Sequence, residues 1–154
     1  MHIDVCAHSN VQLQVCGHAE RYEVLLELEF NADRKRMSVV VRDNASGAIR
    51  LYTKGADDQI FARLAPGQDL VPTQKLVDKF AAKGLRTLVM GFRDYSEAEY
   101  VAYRAQFDTA NAAMEARDER KEEVYTRMEA ALVLIGATAI EDKLQVGVRY
   151  ACRH

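Results

Sequence analysis

The sequence predicts an α+β domain: an antiparallel β-sheet with helices packed against it. Three observations carry this reading. Two consecutive hairpin patterns open the chain, the apolar periodicity changes from two residues to three or four only after Gly55, and there is little strict alternation of strand and helix. A doubly wound parallel sheet would show that alternation from its first strand.

Val11, Leu13 and Val15 lie on one face of a first alternating stretch, and Tyr22, Val24, Leu26, Leu28 and Phe30 on one face of a second, with Gly17-His18 between them. That pattern is a hairpin with one buried side. Arg36 to Arg42 and Ala48 to Lys54 form a second hairpin, joined by the polar, Gly-containing run Asp43 to Gly47. Next, Ile60, Phe61 and Leu64 stand at helical spacing in a short segment ended by Pro66-Gly67. Thr73 is expected to cap the following helix, with Leu76, Val77, Phe80 and Ala81 as its apolar stripe and Gly84 stopping it in the left-handed conformation. Leu85 to Phe92 reads as a strand.

Ser96 and Glu99 make a capping box, and Tyr100, Tyr103, Phe107, Ala110 and Met114 continue at helical intervals. The helix is expected to break near Asn111 and to resume through the charged stretch Glu115 to Glu123. Leu132 to Ile135 form a last strand, which runs into Gly136-Ala-Thr-Ala-Ile-Glu-Asp-Lys-Leu-Gln145.

With 154 residues, 49% hydrophobic and 29% charged, the chain can bury roughly 70% of its unfolded surface in one core without metal or disulfide staples. Its net charge of -2 gives no general attraction for nucleic acid or anionic membrane, so no nucleic-acid partner is expected and any anion site must be local. Cys6, Cys16 and Cys152 cannot all pair and show no C-x-x-C spacing, and no secretory leader pattern precedes them, so a reducing compartment is expected. The apolar run Ala130 to Ile140 is too short to cross a bilayer, which needs about 20 residues, so the chain is expected to be soluble. Cys6-Ala-His8 and Cys16-Gly-His18 repeat a spacing with zinc-ligand chemistry. Zinc sites, however, favour C-x₂₋₄-C loops, and no metal site is expected.

No phosphate-loop, dinucleotide-binding, zinc-protease or nucleophile-elbow motif occurs. What remains is Phe30-Asn-Ala-Asp-Arg34-Lys35-Arg36-Met37-Ser38, a strand-end aromatic followed by a basic triplet, and Lys54-Gly55-Ala56-Asp57 at the end of another strand. A ring face stacks on a planar base, an ammonium meets phosphate oxygens, and Gly55 is expected to let a ligand approach the backbone. By spacing alone, Phe30 reads as core, the triplet as a solvated turn and Lys54 as an exposed strand end.

FNADRKRMSVVV (30–41), LYTKGAD (51–57), GLRTLV (84–89) and GATAIEDKLQ (136–145) occur in an order that resembles the nucleotide-binding domain of P-type ATPases, and specifically its lipid-flipping type IV subfamily. The resemblance covers about Arg21 to Val148. It implies that Phe30 stacks the adenine of ATP, that Lys54 lines the same pocket, and that Arg86 reaches toward the phosphates, with Lys35 and Met37 beside the pocket. Mg²⁺ would arrive with the nucleotide, with no protein ligands from this chain. The implied partners are ATP and the phosphorylation and actuator domains of a parent ATPase, with the membrane reached only through a transmembrane domain elsewhere. The implied location is the cytosolic face of a membrane.

On the same comparison, residues 1–20 are a poorly specified entry with the first strand, 21–141 the nucleotide-binding core, and 142–154 a hinge-like DKLQ segment with a C-terminus unlike the family's continuation. The family's DKTGT aspartate, its TGD loop and its SPDE-like acidic motif are missing from these residues. The expectation is therefore a fragment that positions ATP and carries no catalytic residue. The alternative is a non-catalytic remnant or interaction module of the same fold.

Overall fold

The computed structural model describes residues 10–15 and 18–141. Six strands, β1 (Asn10–Val15), β2 (His18–Asn31), β3 (Arg36–Asp43), β4 (Ile49–Gly55), β5 (Arg86–Tyr95) and β6 (Val133–Ile140), form one antiparallel sheet in sequence order. The expected α+β architecture is therefore what the chain adopts. Helices α1 (Asp57–Phe61) and α2 (Val71–Ala81) occupy the β4–β5 connection, and α3 (Glu97–Asn111) and α4 (Arg117–Met128) the β5–β6 connection.

Strand alternation explains why the helices share one face. On β4, Ile49, Leu51, Thr53 and Gly55 are buried, whereas Arg50, Tyr52 and Lys54 point the other way. The buried row joins Leu26, Leu28, Val40 and Val89 from neighbouring strands and packs against Ile60, Val77, Val124 and Met128 from the helices. Among the described residues, no helix packs on the opposite face of β3, β4 and β5.

Local chemistry fixes the connections. In the β3–β4 turn the Asp43 carboxylate accepts from Ala45 N (2.9 Å) and Ser46 Oγ (2.6 Å), and Gly47 takes φ +72°. The Ser96–Glu99 capping box forms as the sequence predicts, and a separate helix follows the break after Asn111.

Three expectations are corrected. Helix α2 starts at Val71, two residues before Thr73, because Pro72 suits a first turn and the Asp69 carboxylate accepts the Val71 N–H at 3.1 Å. Of its expected stripe only Val77 is buried, and Leu76 is 48% exposed, because α2 covers the β5–β6 margin of the sheet with one narrow line of contact. The last strand also continues to Ile140, because residues 136–140 pair with Met90 back to Arg86. The Cys-x-His pairs and the DKLQ segment lie outside the residues whose side chains are described.

Candidate functional site

A cleft of about 210 Å³ opens on the face of the sheet opposite the described helices, lined by Met37, Val39, Tyr52, Lys54, Met90 and Ile135. Register builds it. Met37 pairs with Lys54, Lys54 with Met90 and Met90 with Gly136, so one row crosses four strands with two thioethers flanking one ammonium. Beside it, Arg50 lies 4.4 Å over the Phe92 ring and pairs with Asp94 at 2.5 Å, so its charge is already partnered.

Phe30 leaves the alternation of its strand. Between Leu28 and Asn31 the β2–β3 register shifts, so Glu29 and Phe30 together oppose Met37, and the Phe30 ring is 64% exposed. The core reading of Phe30 is thereby overturned, the bulge being its cause. The ring also borders a polar hollow of about 450 Å³ with Arg34, Lys121 and Tyr125. Arg86 is the exposed first residue of β5. Alternation places it on the face of Leu88 and Met90, four residues from Met90, or roughly 13 Å along the strand. Of the three residues expected to bind nucleotide, Lys54 lines the cleft, Phe30 stands on the adjoining strand, and Arg86 lies further along the same face.

The basic triplet behaves otherwise. Arg34 and Arg36 are buried, 4% and 2% exposed, on the helix side of the sheet, and Lys35 alone of the three is exposed, at φ +50°. Arg34 donates to Glu129 Oε1, and Arg36 Nε donates to Glu129 Oε2 at 2.6 Å. Glu122 adds a second carboxylate, 3.1 Å from Arg34 Nε without a hydrogen bond's alignment, and the Arg34 guanidinium stacks 4.6 Å over Tyr125. Neither arginine is a solvated turn cation or available to a phosphate, because full burial requires carboxylate partners.

Gly55 is also corrected. A β-carbon there would stand 2.5 Å from Arg36 Cβ and 2.6 Å from the Lys35 carbonyl oxygen, so the glycine admits the neighbouring strand rather than a ligand.

Sequence reasoning missed Tyr52 and Glu129. Tyr52 follows the alternation of β4 and was legible there; Glu129 sits at a helix end among charged residues and carries no signal of burial. Among the described residues, no group of three or more His, Cys, Asp or Glu side chains is placed to hold a metal ion, and no helix is long and apolar enough to cross a membrane.

A family model described as P-type ATPase, cytoplasmic domain N, matches residues 3–66. The chain is similar to probable phospholipid-transporting ATPase IM of Homo sapiens, 43% identical over 140 residues, which cover 90% of this chain and 12% of the relative. Phospholipid-transporting ATPase IC of Xenopus tropicalis is 44% identical over 138 residues, covering 89% and 11%, and phospholipid-transporting ATPase 10 of Arabidopsis thaliana is 47% identical over 130 residues, covering 82% and 11%. The chain thus spans a small part of the length of each relative.

Proposed function

Because the chain belongs to the P-type ATPases, as a cytoplasmic domain N related to the phospholipid-transporting members, we propose that it holds ATP for phosphoryl transfer to an aspartate on another domain. The observation that carries this is the open cleft with Lys54 in it, together with an exposed Phe30 on the adjoining strand and an exposed Arg86 further along the face of the cleft. Adenine stacks on Phe30 beside Met37, a contact worth roughly 1–3 kcal/mol. Lys54 supplies a mobile point charge with three donors, and Arg86 meets the phosphates with its planar fork.

A cleft of about 210 Å³ falls below the ~300 Å³ at which whole-ligand pockets begin, so it suits a base, with ribose and phosphates running outward along the face. That leaves the γ-phosphate at the rim, where another domain can reach it. In the transfer, an aspartate oxygen bonds to the γ-phosphorus while the bond to the β,γ-bridging oxygen breaks and ADP leaves with the electron pair. Mg²⁺, bound to the phosphates, supplies charge neutralisation. This chain contributes the hold on the nucleotide; the parent protein, with phosphorylation and actuator domains and a membrane part, would couple the chemistry to phospholipid movement.

The test is an ATP titration followed by NMR at the Phe30 ring and the Lys54 amide. Both signals are expected to move at millimolar nucleotide, and silence at both would sink the reading. The small cleft favours one rival, a domain that keeps the fold without binding nucleotide. Lys54→Ala separates them: a binding domain loses about tenfold in affinity with its fold intact, whereas the rival has no affinity to lose.

A further inference from the structure

We propose that Glu129 is a positioning residue that holds Met37 and Lys54 in place from the opposite side of the sheet; its functional consequence rests on the nucleotide reading above. Glu129 follows α4 directly and is fully buried. Its carboxylate accepts from Arg34, from Arg36 Nε at 2.6 Å and from Ser38 Oγ at 2.6 Å. Arg36 and Ser38 are the two neighbours of Met37 in β3.

The same control reaches β4. A carboxylate only accepts, so the Ser38 proton is committed to Glu129, and Ser38 Oγ must then accept the Thr53 proton across their 2.8 Å contact. The relay runs from Thr53 to Ser38 to Glu129. Thr53 precedes Lys54, and Gly55, which follows it, abuts Arg36 so closely that no β-carbon fits. All four chain neighbours of the Met37–Lys54 pair are therefore tied to one carboxylate, directly, through one hydroxyl, or through Arg36.

The choice of a buried ion cluster supports a positioning role. Replacing buried ion pairs by well-packed apolar groups is often neutral or stabilising, so such a cluster is a weak stability device. It is a strong register device. A one-residue slip of β3 against β4 would carry Met37 to the helix side and leave Lys54 without it, and it would also separate Ser38 from Thr53 and Arg36 from Glu129. Glu129 is itself fixed to the helix layer: its N–H donates to the Tyr125 carbonyl at 2.9 Å, and Tyr95 donates to the Met128 carbonyl at 2.5 Å.

The test compares wild type with Glu129→Gln in the 154-residue chain, reading the Met37 methyl and Lys54 amide signals without nucleotide and then ATP affinity. Both signals are expected to move, and affinity to fall about tenfold, in a protein that stays folded by circular dichroism. Unmoved signals, or moved signals with unchanged affinity, overturn the proposal. If Glu129→Gln does not fold, Thr53→Val, which removes one hydroxyl, decides in its place: affinity should fall about threefold and return in Thr53→Ser, and an unchanged Thr53→Val overturns the idea. A wild-type chain that binds no ATP sinks the nucleotide reading by itself, and the Met37 and Lys54 signals then decide the positioning claim alone, moved for it and unmoved against it.

Discussion

Ser38 and Thr53 share a buried 2.8 Å hydrogen bond on the helix side of the sheet, one residue away from the Met37–Lys54 pair that opens to the other side. The two faces of β3 and β4 thus divide their work. Charged and hydroxyl groups lock the strands underneath, and thioethers, the Tyr52 ring and the Lys54 ammonium line the cleft above.

The exposure of Phe30 predicts a separation of stability from binding. A core phenylalanine costs about 3–5 kcal/mol when cut to alanine, whereas an exposed one changes stability within about 0.5 kcal/mol. Phe30→Ala should therefore leave the urea midpoint nearly unchanged while weakening ATP binding by one to two orders of magnitude, the loss of one stack. A large drop in the midpoint would return Phe30 to the core.

Arg36 should show the opposite pattern. Truncating it leaves Glu129 buried with less compensation, a loss of about 3–5 kcal/mol for a broken buried pair. Arg36→Ala is accordingly expected to unfold at much lower urea than Lys54→Ala, whose site is exposed. Equal midpoints would show that the buried cluster contributes little.

The sheet and its helices were legible because period and turn chemistry act locally: the Ser96–Glu99 box, the Asp43 turn and the alternation of β4 each depend on a few adjacent residues. The site was legible in part. The resemblance drew attention to Lys54, which lines the cleft, but the RKR triplet gave no sign that two of its members turn inward. That outcome depends on Glu129, more than ninety positions away, and local pattern carries no information about so distant a partner. The bulge at Phe30 escaped for the same reason, because it is a property of the pairing with β3.

Gly55 predicts a backbone effect. A methyl group there meets the Arg36 side-chain base and the Lys35 carbonyl, neither of which can rotate away, so β3 and β4 must separate locally. Gly55→Ala should cost about 1–3 kcal/mol by urea unfolding and speed amide exchange at Lys54. Gly47→Ala is a useful contrast: nothing lies within 4 Å of its β-carbon, and its cost comes from φ +72° alone, leaving exchange at Lys54 unchanged.

The capping box of α3 predicts a pH dependence with a definite sign. Hydrogen bonds from the Ser96 N–H and hydroxyl favour the ionised Glu99 and hold its carboxyl below the usual glutamate range. A carboxyl with a depressed folded pKa contributes stability that is fully present above its unfolded pKa and disappears as pH falls through the folded one. Thermal unfolding of wild type and Glu99→Gln should therefore differ at pH 6 and converge as acid protonates Glu99. Ser96→Ala removes the hydroxyl but keeps the backbone donor, so it should raise the pKa of Glu99 only part of the way back, measurable by NMR titration of its side-chain carboxyl carbon. A difference between wild type and Glu99→Gln that persists below the lowered pKa would mean that the glutamate supports α3 through packing rather than charge.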